Sequence, residues 1–189
     1  MDEIIRQIRD AELLSQIEKV VPFHGYLSTG AFIGIQMFNI AKKALDLQDG
    51  ERIFVTCETY NCLPDPFQVL GGATIGNKGL KIADSGKMAV VVNRHAPVGV
   101  TSVRGIRIYL DPDRTKKYQK LHAWYLNTEK VSHKEAINDL VKAGEDAYTY
   151  EMVDVEVPVK PNKCIKMCDV CGEYFVQCGG EVLCSTCTA

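Results

Sequence analysis

Residues 167–187 read MCDVCGEYFVQCGGEVLCSTC, a span too short and too rich in glycine and cysteine to fold around apolar side chains alone. Cys168 and Cys171 form one Cys-x-x-Cys pair, Cys184 and Cys187 form another, and twelve residues separate the two pairs. Four thiolates at this spacing can converge on one tetrahedral zinc, which is what a closed structural site requires. The rival reading is two disulfides or four unrelated thiols. Against it, the start of the chain, MDEIIRQIRD, is charged rather than apolar, so the expectation is a reducing, cytoplasmic setting in which thiols stay free or bind metal.

The remaining tail residues fit a metal module. Gly172 follows Cys171 where a knuckle folds back tightly. Residues 173–177 and 181–184 read as two short strands joined through Cys178, Gly179 and Gly180, which suggests a zinc ribbon or a shortened treble clef. Cys164 and Cys178 are expected outside the first shell. Metal binding must supply most of the folding free energy of so small a unit.

Composition bounds the rest. The chain has 189 residues, 46% of them hydrophobic, enough for one full core beside the small module. Its 22 Lys and Arg against 24 Asp and Glu leave a net charge of −2, which argues against a nucleic-acid partner recruited by bulk electrostatics. In the tail Lys160, Lys163 and Lys166 are matched by Asp169, Glu173 and Glu181, so a DNA-reading finger is disfavoured. No apolar run is long enough to cross a membrane. Pro158 and Pro161 in VPVKPNK interrupt regular structure and predict a boundary, giving a core over 1–160 and a zinc-binding module over 161–189.

Within the core, Ile4, Ile5, Ile8, Leu13, Leu14 and Ile17 mark helical segments. Ile33, Met37, Ile40, Ala41 and Ala44 mark a second helix, with Gln36, Asn39, Lys42 and Lys43 opposite and with Gly30 and Gly34 on the buried face, where a backbone can approach closely. Strands are predicted over 52–56, 80–83, 88–93, 103–110 and 152–157. Helices follow over 111–125 and 132–143, the latter opening on a Ser132–Glu135 capping box. Helices, then strands, then helices predict an α+β fold with a largely antiparallel sheet packed with helices.

Two loops carry the chemistry. Phe23 to Gly30 (FHGYLSTG) runs into the Ile33 helix, with Ser28 or Thr29 as its cap and with its free N–H groups facing whatever His24 faces. Thr56 to Gln68 (TCETYNCLPDPFQ) ends in a helix start, where Asp65 reads as the N-cap, Pro66 as the first helical residue and Gln68 as the capping-box partner. Cys62 stands before that start, where the local field favours thiolate, whereas Cys57 ends a strand and reads as a buried, inert thiol. Gly71 and Gly72 read as a helix terminus, Asn77 to Gly79 as a turn and Asp84 to Lys87 as a hairpin turn, with Lys87 free to face a cleft.

FHGYLSTGAFIG, CLPDPFQVLGGATIGNKGL and ADSGKMAV, followed by a Cys-x-x-Cys-Gly-Glu tail, together resemble the E-subunit family of formylmethanofuran dehydrogenase in the form that carries a carboxy-terminal zinc module. His24, Gly25, Gly30, Gly34, Cys62, Asp65, Gln68, Gly72, Thr74, Gly76, Asp84, Gly86 and Lys87 match the family pattern. Tyr26, Ser28 and Ala73 depart from it, standing where histidine or cysteine is offered. Tyrosine and serine are poor replacements as zinc ligands, which leaves His24 and Cys62 as the obvious core pair.

The resemblance implies a metal-binding accessory or small-molecule-binding protein of one-carbon metabolism, associated with a molybdenum or tungsten enzyme. It implies a cleft around His24 and Cys62 with a labile second metal, Asp65, Thr74 and Lys87 around a small anionic ligand, and a homodimer. The alternative is a free-standing metal-dependent enzyme using Cys62 as ligand or nucleophile. No iron–sulfur run or dinucleotide fingerprint is present, so redox chemistry would need a partner to hold the redox centre.

Overall fold

The computed structural model describes residues 8–158, 163–177 and 179–188. Ile4, Ile5, Lys160, Pro161 and Cys178 lie outside them. Backbone contacts divide the chain into two compact units, the first ending at Glu156 and the second beginning at Val157.

In the first unit the Asp10 carboxylate accepts from Glu12 N and Leu13 N and starts α1 (Ala11–His24). Gly25 ends that helix at a φ of 96°, a conformation that side chains resist. His24 is therefore the last residue of a helix, not the lead-in to the next one as the sequence suggested. The Ser28 side chain accepts from Ala31 N and starts α2 (Thr29–Ala44). β1 (Ile53–Cys57), α3 (Asp65–Gly71), β2 (Leu80–Ile82), β3 (Ala89–Arg94) and β4 (Ser102–Leu110) follow. After them come α4 (Pro112–Thr115), α5 (Gln119–Leu126), α6 (His133–Ala143), a 3-10 turn (Gly144–Ala147) and β5 (Tyr148–Glu156).

The five strands form one sheet in the order β2-β1-β3-β4-β5, with β1 and β2 parallel and every other pair antiparallel. Alternation along the strands aims Ile53, Val55, Cys57, Val90, Val92, Ile106, Ile108, Leu110 and Tyr148 at the helices, and all of them are buried. The fold is α+β with a mostly antiparallel sheet, as the element order predicted.

α2 is the central helix, packed against β4 and flanked by α1, α3 and α6. It is buried almost all round, with Phe32, Ile33, Ile35 and Met37 wholly inaccessible. Truncating one of these large side chains to alanine would cost about 2–5 kcal/mol. Of the polar residues on the other face of α2, Gln36 and Asn39 are half-buried, whereas Lys42 and Lys43 pair with Glu12, Asp49 and Glu145. Asn39 and Gln16 exchange two amide hydrogen bonds at 2.7 and 2.8 Å. Gln36 donates to Leu140 O and accepts from the Tyr148 hydroxyl at 2.6 Å, so each buried amide is matched by a polar partner.

Two further elements differ from expectation. The helix predicted over 111–125 is split into α4 and α5 by a turn over residues 116–118, in which Tyr118 N donates to Thr115 O. The last strand of the sheet begins at Tyr148 rather than at residue 152, because Tyr148 pairs with Leu110 and fills the core.

In the second unit the hairpin is β6 (Cys164–Met167) against β7 (Tyr174–Gln177), and its turn is the first cysteine knuckle. Residues 181–184 form no strand. Gln177 Nε2 donates to Glu181 O at 2.6 Å and Asp169 N donates to Val182 O, which ties that segment down as a loop beside the knuckle. Gly172 has a φ of 73°, the tight reversal its place after Cys171 predicted.

Candidate functional site

The tail cysteines converge. One Sγ from each of Cys168, Cys171, Cys184 and Cys187 lies within 4.8 Å of every other, and among the described residues this is the only group of three or more potential ligands so placed. Tetrahedral zinc with sulfur bonds of about 2.3 Å sets its sulfurs about 3.8 Å apart. Cys171 Sγ and Cys184 Sγ are 3.9 Å apart, and the described cysteines are all unbridged. The donor set and spacing fit a structural zinc.

Hydrogen bonds from the backbone of Cys171, Cys184 and Val170 pull the Cys168 thiol down to about 6. Cys187, bonded to the neighbouring Cys184 sulfur, is pushed up to about 12. A cluster that stabilises the Cys168 thiolate and raises the thiols of Cys171 and Cys187 is short of positive charge, which a divalent metal would supply. Cys164 stands apart from the cluster, its Sγ donating to Gln177 Oε1 at 2.6 Å.

The core loops also meet. His24, at the end of α1, places Nδ1 2.6 Å from Asp65 Oδ2 at the start of α3. An ionised carboxylate only accepts, so Nδ1 carries the hydrogen in that bond. The other ring nitrogen, Nε2, is buried and has no hydrogen-bond partner. Asp65 is thereby corrected: Pro64 holds the N-cap position of α3 without a side-chain bond, while the Asp65 carboxylate serves His24 and accepts from Gln68 Nε2 at 3.3 Å.

Cys62, three residues earlier, lies against the first turn of α2. A Cβ on Gly30 would come within 3.1 Å of Cys62 Cβ, and one on Gly34 within 2.7 Å of Leu63 O. The two glycines let the Cys62–Pro66 backbone sit on α2, as their placement on its buried face predicted. Ser28 is buried and its hydroxyl is used as the α2 cap, so it is not free to act as a ligand.

Thr74 is engaged by Asn77 in a turn, its N–H donating to Asn77 Oδ1 and its Oγ1 accepting from Asn77 N. Lys87 is exposed next to Glu58, whose carboxylate binds Arg107 at 2.7 and 3.0 Å. The Arg107 hydrogen bonds hold the Glu58 carboxyl below its ordinary range. That ion pair anchors the end of β1 from which the Cys62 loop departs. Cys57 is buried, and desolvation raises its thiol to about 11, which agrees with an inert role.

Tyr26 stands out in the sequence only as a departure from the family pattern, and His133 carries no signal there as a binding group. The Tyr26 ring lies between the rings of His24 and His133, at centroid spacings of 5.3 and 5.7 Å. The only local signal for His133 is its place directly after the Ser132 cap, which sets it at the first residue of α6.

Residues 23–155 match the family FmdE, described as Molybdenum formylmethanofuran dehydrogenase operon, and the chain belongs to this family. A solved structure of a tungsten formylmethanofuran dehydrogenase E-subunit (FmdE)-like protein from Syntrophus aciditrophicus is similar, with a TM-score of 0.77 and 28% identity over 93% of this chain and 91% of that one. A probable S-adenosyl-L-methionine-binding protein of Archaeoglobus fulgidus is 27% identical over 176 residues, 80% of this chain and 46% of that protein. The chain thus spans about half the length of that relative. No described helix is long and apolar enough to cross a membrane.

Proposed function

We propose that this FmdE-family chain is a metal-binding accessory or small-molecule-binding protein of formylmethanofuran dehydrogenase-type one-carbon metabolism. Its core cleft holds a labile metal at His24 and Cys62, and its tail holds a structural zinc in a treble-clef or ribbon module. The observation that carries the cleft is the buried, unpartnered Nε2 of a histidine whose Nδ1 is bonded to a carboxylate. Metal-binding histidines are commonly oriented in this way, since the carboxylate fixes the tautomer and raises the basicity of the free nitrogen. A buried polar atom left without a partner costs free energy unless something binds there.

His24 Nε2 and the Cys62 thiolate would hold the metal, which would polarise an oxygen of a bound ligand. Asp65 orients the imidazole. Gly30 and Gly34 bring the Cys62 loop onto α2, and the Glu58–Arg107 pair steadies the other end of that loop. With Tyr26 and Ser28 in place of stronger ligands, occupancy is partial. Homodimerisation, a cytoplasmic setting and association with molybdenum or tungsten enzyme subunits belong to the same reading. The name of the Archaeoglobus fulgidus relative adds S-adenosyl-L-methionine as a small molecule to assay by equilibrium dialysis.

The test is zinc titration into chelator-stripped protein by calorimetry. The expected result is one tight site lost in Cys171→Ser and one weaker site lost in His24→Ala and in Cys62→Ser. A weaker site unchanged in both core variants, or absent from the wild type, overturns the reading. Turnover of a substrate by the purified chain that fails only in Cys62→Ser would favour the enzyme alternative.

A further inference from the structure

His133 comes from α6, 104 residues beyond Thr29, yet its Nδ1 sits 3.1 Å from Thr29 N and 2.8 Å from Thr29 Oγ1. A backbone N–H can only donate. Nδ1 is therefore the acceptor, and the ring hydrogen must be on Nε2. Thr29 is buried, so water does not compete for this contact. His133 itself is exposed. Its ring is the far member of the row in which Tyr26 separates it from His24.

The two imidazoles are thus set in opposite senses. His24 is bonded through Nδ1 to a carboxylate and offers a buried lone pair at Nε2. His133 is bonded through Nδ1 to donors and offers an N–H at Nε2. Thr29 and His133 are also the first residues of α2 and α6, which are sixteen and eleven residues long. The two helix starts meet at this contact; the start of α6 is already met by the Glu135 carboxylate, which accepts from Ser132 N and Oγ, so the start of α2 is the one that an added anion would face.

We infer that His133 is a ligand-binding residue of the same cleft, donating from Nε2 to an oxygen of a small carboxylate that lies along the exposed Tyr26 ring between the two histidines. The inference rests on the reading of the His24–Cys62 loops as the site. A carboxylate satisfies both demands of the arrangement, since it is an anion for the start of α2 and an acceptor for the fixed N–H. Tyr26, which offers no strong metal ligand, instead supplies an aromatic face half open to solvent.

Long-range proton–nitrogen correlation spectra of the histidine rings, recorded on the full chain during titration with acetate and separately with acetamide, test this directly. The expected result is a His133 ring hydrogen on Nε2, an Nε2 resonance that shifts saturably with acetate, and at least tenfold weaker response to acetamide. His133→Asn keeps an acceptor near the Nδ1 position for Thr29 but has no donor at Nε2, so acetate affinity should fall at least tenfold with little change in melting temperature. A ring hydrogen on Nδ1, or equal acetate affinity in His133→Asn, overturns the inference. Should that variant not fold, the wild-type resonance decides, by saturating with acetate or failing to move. Zinc binding to the cleft with no acetate response sinks this inference alone, whereas an acetate response in a chain that binds no cleft zinc sinks the metal reading alone.

Discussion

His24 Nδ1 and Asp65 Oδ2 stand 2.6 Å apart although 41 residues separate them in sequence. The bond joins the end of α1 to the start of α3 and leaves the second ring nitrogen as a buried lone pair. Asp65→Asn keeps the size of the side chain and removes its charge, and its amide nitrogen can face the ring and favour the wrong tautomer. Cleft metal affinity should fall about 10–100-fold, while the tail zinc is unaffected. Competition with a colourimetric chelator measures both, and equal cleft affinity in the variant would remove Asp65 from the site.

Gly34 is the tighter of the two close approaches on α2, because its added Cβ meets the Leu63 carbonyl and the Pro66 ring, whereas Gly30 meets only Cys62. Gly34→Ala should destabilise the core by about 1–3 kcal/mol and displace the Cys62 loop. Gly30→Ala should cost less, since the better helix propensity of alanine offsets part of the crowding. Thermal melts of the two variants rank them. A more stable Gly34→Ala would contradict the packing described.

Cys57 gives the fold an alkaline weakness. Burial raises its thiol from the ordinary 9.0 to about 11, so the folded chain holds this proton more tightly than the unfolded chain. Below pH 9 both states are protonated and the site is neutral in effect. Between 9 and 11 the unfolded chain ionises first, and stability drops by roughly 3 kcal/mol as pH rises through that window. Cys57→Ala should lack this component while paying a small, pH-independent packing cost. Denaturant titrations at several pH values compare them, and parallel pH profiles would show that Cys57 does not matter.

Cys171→Ser leaves three thiols in a cluster whose folding depends on four. The tail should release zinc and lose the β6–β7 pairing, while the core, a separate compact unit with its own apolar interior, melts almost unchanged. Metal analysis with amide exchange across residues 164–177 follows the loss. Full zinc retention in the variant would refute the four-cysteine site.

Local signals in the sequence located whatever depends on neighbours in the chain. The Ser28 cap, the Ser132–Glu135 box, the Gly172 reversal and the two cysteine pairs each depend on residues within a few positions, and each is present. Asp65 carried two compatible readings, because Asp-Pro-x-Gln is a sound helix start whether or not a histidine lies nearby. Only the approach of α1 decides that its carboxylate serves His24. The same holds for His133, whose capped helix start says nothing of Thr29, 104 residues away. Periodicity set Gln36 and Asn39 opposite the apolar face of α2 but could not name what they meet. Their partners Gln16, Leu140 and Tyr148 come from three other elements. In the tail, residues 181–184 read as a strand, but the bond from Gln177 Nε2 to Glu181 O and that from Asp169 N to Val182 O hold them as a loop.

The central claim is that His24 and Cys62 share one metal. Cobalt(II) added to chain whose tail is already filled with zinc addresses it most directly, because a thiolate bound to cobalt gives a sulfur-to-metal charge-transfer band that an imidazole alone does not. The account predicts that band in the wild type and in His133→Asn, its loss in Cys62→Ser, and its strong weakening in His24→Ala. No band in the wild type, or a band that survives Cys62→Ser, would contradict the account.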